Sequence, residues 1–152
     1  MPRAVFGWLP SNSAKEVSAF EGRSFLGAGT AAPGIDGFLH DGQSPVNNPQ
    51  PIQLQENSMG GDYRIFNDAA RHERAAIDAG YKSLDLYVKS TDPDVTVGSL
   101  LNFIQHGKNA GLVGITNRGT FKSITILAQD GAFKIDQGKV YACDSNGNCK
   151  AQ

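Results

Sequence analysis

The stretch from Asp62 to Lys89 constrains the fold more than any other part of this 152-residue chain. Asp62 predicts the cap of a helix that runs to about Ala79 and stops at Gly80. At helical spacing Ile65, Phe66, Ala69, Ala70, Ala76 and Ile77 gather on one face, with Arg64, Asp68, Arg71, Arg74 and Asp78 opposite. From Ser83 to Lys89 the period switches to two: Leu84, Leu86 and Val88 take one side, Asp85, Tyr87 and Lys89 the other. A one-sided apolar helix that feeds an alternating strand has to lay its stripe on a sheet. The expectation is therefore an α/β (mixed α+β) chain with helices flanking a central mixed sheet.

The rest of the chain fits one domain spanning 1–152. Residues 1–12 carry apolar patches (Val5, Phe6, Trp8, Leu9) without a period and read as an irregular segment. Ser11 to Ser13 offer caps for a short helical pattern, Ala14 to Glu21. Gly22 to Gly37, rich in Gly, Ala and Pro, reads as loop, and 38–57 as a hairpin with a long polar connection before Ile52 to Glu56. A second helix is expected after Asp92-Pro93-Asp94, carrying Val97, Leu100, Leu101 and Ile104 to a stop at Gly107. Ser123 to Leu127, Ala132 to Ile135 and Lys139 to Ala142, separated by tight turns, predict an antiparallel C-terminal end. Cys143 and Cys149 flank the turn signal Asn146-Gly147, so the two sulfurs face each other across a hairpin, as a local disulfide or an idle thiol pair.

Hydrophobic residues make up 39% and charged residues 19% of the chain, with a formal net charge of -1. That composition is globular, and it lacks the basic excess of a broad DNA-wrapping surface. A small nuclease site, which needs carboxylates in any case, stays open. No apolar run approaches the roughly 18 residues of a membrane span, and no secretion signal is visible, so export would be directed from outside this sequence.

One constellation carries chemistry. Mg²⁺-dependent phosphodiester cleavage calls for oxygen ligands around one cation, and a strand carries side chains two residues apart on one face. Asp36 sits at a turn in Gly34-Ile35-Asp36-Gly37, and Gln53 and Gln55 share a face of the strand one hairpin later. Glu21, on the first helix, is the natural further oxygen donor. Asp36 and Glu21 are thus the candidate metal ligands, with Gln53 and Gln55 completing a ligand and water-positioning face. Glu56, Glu73, Lys89 and His106 are auxiliary candidates. Glu73 breaks the apolar face of its helix, either as a half-exposed glutamate at a packing edge or as a carboxylate aimed at the site. His40 and His106 could do acid–base work but read first as a loop and a helix-end histidine. Arg64, Arg71 and Arg74 read as helix ion-pair partners of Asp68 and Asp78.

The runs Phe20-Glu21-Gly22-Arg23, Gly29 to Gly37 and Pro51-Ile52-Gln53-Leu54-Gln55-Glu56 resemble the C-terminal toxin domains of contact-dependent growth inhibition (CdiA-type) and related polymorphic toxins. Ala79-Gly80-Tyr81 leading into Leu84 to Lys89 fits the same likeness. The resemblance implies a PD-(D/E)xK, restriction-endonuclease-like fold and a metal-dependent nuclease, with Mg²⁺ as cofactor. It implies cleavage of tRNA or DNA in the cytoplasm of a neighbouring cell after delivery by a larger secreted or surface-displayed protein, and a cognate immunity protein. A small, nearly neutral domain favours compact tRNA. The departure is Gln55, where such domains carry lysine: the chain is an inactive variant, or Lys89, Lys82 or Lys122 supplies the charge from an adjacent strand, or the site works differently from that of the family. The alternatives are a DNase of the same fold, a metal-independent RNase using His106 or His40, and a non-catalytic binding or immunity-type module.

Overall fold

A computed structural model describes residues 10–29, 34–43 and 46–152. Helix α1 (Pro10–Glu21) leads into β1 (Ser24–Gly27) and β2 (Gly37–His40). A small ribbon of β3 (Gly42–Gln43) and β4 (Val46–Asn47) precedes β5 (Gln50–Asn57). Helix α2 (Gly61–Asp78) crosses to β6 (Leu84–Ser90); α3 (Val97–Ile104), a 3-10 stretch Gly107–Gly114 and α4 (Ile115–Arg118) cross to β7 (Phe121–Ala128). The chain closes with β8 (Gly131–Asp136), β9 (Lys139–Cys143) and β10 (Cys149–Ala151).

Among the described residues, eight strands form one mixed sheet in the order β10-β9-β8-β7-β6-β5-β2-β1. The two helical crossovers make β5, β6 and β7 parallel, because a strand that returns through a helix on one face re-enters in the same direction. Every other pairing in the sheet is antiparallel. The expected antiparallel C-terminal end is present. Of the two states open to the cysteines, the disulfide is formed, between Cys143 and Cys149 across the paired ends of β9 and β10.

Each face of the sheet carries its own core. On one, Ile65, Phe66, Ala69 and Ala76 of α2 and Leu100 and Ile104 of α3 pack on Leu84, Leu86, Val88, Ile124, Ile126 and Phe133. Phe66 stacks on Phe103 with ring centroids 5.6 Å apart, joining the two helices. On the other face Ala14 and Val17 of α1 cover Ile52, Leu54, Tyr87 and Leu127.

Six sequence expectations change. Asp62, expected as the cap of α2, lies inside its first turn, and Gly60 is the N-cap. His40, expected in a loop, is buried at the end of β2. Pro10 to Asn12, expected in the irregular segment, begin α1; residues 1–9 lie outside the described ones. Ser24–Gly27, expected as loop, is the edge strand β1, held by the register Ser24↔His40 to Gly27↔Gly37. Asp68, expected on the exposed side of α2, is buried, while Ala70 and Ile77 of the expected apolar face are exposed. Tyr87, on the polar side of its strand, is only 2% exposed because α1 covers that side of the sheet.

Candidate active site

Strand β5 outruns its neighbour. The register with β2 ends at Gly37↔Ile52, whereas pairing with β6 continues from Ile52↔Asp85 to Asn57↔Ser90. The opened edge is met by Asp36, the residue just before β2. Its backbone N–H donates to the Ile52 carbonyl at 3.0 Å, and its Oδ2 accepts from the Leu54 N–H at 2.7 Å. One carboxylate thus takes over a ladder bond where β2 leaves off.

The alternation of β5 then decides what faces α2. Where β6 turns Leu86 and Val88 toward the helix layer, their partners in β5 are Gln53 and Gln55. These amides, with Asp36 and with Asp68, Arg71 and His72 of α2, line a cavity of about 390 Å³. Both glutamines are buried, at 8% and 4% exposure. The Gln55 Nε2 donates to the Ile65 carbonyl at 3.0 Å and to Asn57 Oδ1 at 2.7 Å, which fixes the amide's orientation. Its Oε1, and the Oε1 of Gln53, are buried with no hydrogen-bond partner among the described residues. Such orphaned acceptors are costly, on the order of 1–3 kcal/mol each, and call for a partner.

The two carboxylates of the cavity differ. Burial holds the Asp36 carboxyl above its ordinary range; the Leu54 N–H and nearby His72 offset that only in part. Burial also works against charge on Asp68, but donation from Arg71, from Asn57 Nδ2 at 2.8 Å and from Arg64 outweighs it, so its carboxyl stays below the ordinary range. Burial pushes the His72 imidazole down despite the neighbouring Asp36 and Asp68, so the ring is neutral near pH 7, and its buried Nδ1 has no partner among the described residues.

Of the sequence candidates, Asp36, Gln53 and Gln55 come together, and Glu56 reaches the same cavity, where it accepts from the Ser13 hydroxyl. Glu21 does not join them: its carboxylate accepts from the Tyr87 hydroxyl, and it lines a separate polar concavity with Asp85 and Lys122. Glu73 accepts from the Phe121 N–H at 3.3 Å, at the start of β7, so it serves packing at a helix edge. Lys89 pairs with Glu16 at 3.2 Å. The His40 Nδ1–H donates to the Gly42 carbonyl at 3.0 Å and the His106 Nδ1–H to the Asn102 carbonyl at 2.6 Å, neither of them in the cavity. His72 is the member of the cavity that sequence patterning does not single out. Its signal is position alone: it lies at the border between the apolar and polar sides of α2, four residues after Asp68.

As donors for a metal, Asp36 and the two free amide oxygens form an all-oxygen set of the type a hard cation takes, with a carboxylate whose raised proton affinity marks uncompensated charge. Among the described residues no three His, Cys, Asp or Glu side chains gather around one point, so much of the coordination shell would be amide, water and substrate oxygen. No family model, curated protein or solved structure matches the chain.

Proposed function

We propose that the chain is a nuclease toxin domain that cleaves tRNA with the help of a divalent cation, Mg²⁺ first, at the cavity between β5 and α2. The observation that carries the reading is that Asp36 lines one cavity with Gln53 and Gln55, whose buried amide oxygens have no partner among the described residues. The order helix, three antiparallel strands, helix, parallel strand, with the acid just before the second sheet strand and the paired glutamines on the third, supports the restriction-endonuclease-like assignment.

Asp36, Gln53 Oε1 and Gln55 Oε1 would hold the cation, which when bound supplies Lewis-acid polarisation of a phosphoryl oxygen and a more acidic water. The remaining work falls to the chain. The second lone pair of each amide oxygen accepts from a water and turns a lone pair of the water oxygen toward the phosphorus. Arg71, in the cavity wall, supplies the positive charge that Gln55 lacks. Of the other sources considered, Lys89 is engaged with Glu16, Lys122 lines the separate concavity, and Lys82 is exposed and does not line the cavity. Delivery by a larger secreted or surface protein and neutralisation by an immunity protein complete the reading.

The test is incubation of the purified chain with total tRNA and with plasmid DNA, with Mg²⁺ or with EDTA, beside Asp36→Ala and Gln55→Lys. We expect Mg²⁺-dependent tRNA cleavage that falls at least ~10²-fold in Asp36→Ala, the scale of losing one preorganised electrostatic group. If neither the native chain nor Gln55→Lys cuts either polymer with Mg²⁺ or Mn²⁺, the reading is wrong. Cutting of DNA alone removes the tRNA assignment, and cutting that survives EDTA removes the metal.

A further inference from the structure

Helix α2 has a second face, and its charges are sorted. Among its acids, Asp62 accepts from the Ser99 hydroxyl at 2.9 Å, Asp68 is buried against Asn57, and Glu73 reaches the Phe121 N–H. All three are turned into the protein. Only Asp78, the last helical residue, is exposed. Arg64, Arg71 and Arg74 are all exposed, the side chains of the first two at 52% and 69%. Asp68 holds Arg64 and Arg71 from below, so one carboxylate steadies two guanidinium groups and leaves a cationic surplus on the surface. The pairing expected from the sequence is formed by Arg64 and Arg71 with Asp68, and no pair of Arg74 with Asp78 is formed among the described residues. The Asp68 pairing anchors its two arginines without neutralising the face.

Tyr63 lies on the same line, at helical spacing from Asn67 and Arg74, and is 69% exposed; Met59, just before the helix, is 70% exposed. An exposed tyrosine beside guanidinium groups is a stacking surface for an unpaired base. At about 1.5 Å per residue, the strip from Tyr63 to Arg74 is roughly 17 Å long, and Arg71 belongs both to it and to the cavity wall.

We propose that the outer face of α2 is the docking track for a structured RNA with an unpaired loop. Arg64, Arg71 and Arg74 contact its phosphates, and Tyr63 stacks on one of its bases. The inference rests on the nuclease reading for its substrate and adds the surface that delivers the phosphodiester to the cavity. Charge complementarity with a polyanion supports it in a chain whose overall charge is -1, so that affinity has to be local. The exposed aromatic favours unpaired RNA over duplex DNA.

The experiment measures binding of labelled tRNA and of a duplex DNA in EDTA, from 50 to 200 mM salt, so that cleavage does not enter. The native chain is compared with Arg74→Gln, Tyr63→Ala and, as a surface control, Lys150→Gln. Arg74→Gln is expected to reduce the slope of log affinity against log salt by about 1. Tyr63→Ala weakens tRNA binding about fivefold or more with the slope unchanged, since stacking releases no counterion. Lys150→Gln changes nothing. Unaltered affinity and slope in Arg74→Gln, or no tRNA binding by the native chain, overturns the track. Equal loss of tRNA and duplex binding in Tyr63→Ala overturns the RNA assignment. Cleavage by the native chain with binding indifferent to these substitutions leaves the nuclease standing without this surface. Binding through α2 with no cleavage by any form leaves the surface standing without the nuclease.

Discussion

The cavity beside β5 and the polar concavity around Tyr87 are built from the same kinds of side chain and are finished differently. In the second, Glu21 takes the Tyr87 hydroxyl, Asp85 accepts from Gln50 at 2.5 Å and from Ser123 at 2.7 Å, and Arg23 donates to Gln50 at 2.5 Å. Burial together with the Glu21 carboxylate holds the Tyr87 hydroxyl protonated far above its ordinary range, so it serves as a fixed donor. In the first, two amide oxygens have no partner among the described residues and Asp36 is under-compensated. Saturated polar groups hold a fold in register, and unsatisfied ones that line a cavity call for a partner. The difference separates Glu21 from Asp36, which the sequence alone had put on one metal.

The sharpest way to break that comparison is at Asp68, which lies in the cavity but belongs to its saturated wall. Asp68→Ala strands the Asn57 amide and frees Arg64 and Arg71, and should cost on the order of 3 kcal/mol in urea denaturation at pH 7. Since the Asp68 carboxyl is held low, its contribution is present above the unfolded carboxylate range and is lost as pH falls through the folded value. A loss under about 0.5 kcal/mol, typical of a surface site, would move Asp68 to the open wall.

A smaller effect of opposite sign is expected at Asp36. Its folded pKa is raised, so ionising it costs stability as pH climbs through and above the ordinary carboxylate range. Asp36→Asn keeps an acceptor for the Leu54 N–H and removes the charge. It should stabilise the chain by about 1 kcal/mol at neutral pH, with the gain vanishing in acid. Destabilisation at pH 7 would make Asp36 a structural cap and nothing more.

Much of this was legible in the chain. The 3.6-to-2 period switch from α2 to β6 fixed the layer type, and the Asn146-Gly147 turn placed the two cysteines across one hairpin. The acid before β2 and the glutamine pair in β5 were visible as spacing. What was hidden depends on tertiary neighbours. β1 is four residues with partly exposed side chains, held by pairing to β2, and its sequence carries no strong alternation. Glu21 looked like a ligand because nothing local reveals that Tyr87, sixty-six residues on, takes its carboxylate. His72 and Asp68 were unreadable for the same reason: their roles come from the end of β5, across the layer.

Calorimetric titration of Mg²⁺ or Mn²⁺ into the native chain, Asp36→Asn and Glu21→Gln tests the central claim most directly. The account predicts one site, lost in Asp36→Asn and unchanged in Glu21→Gln. Binding that survives in Asp36→Asn, or that disappears with Glu21→Gln, would contradict it.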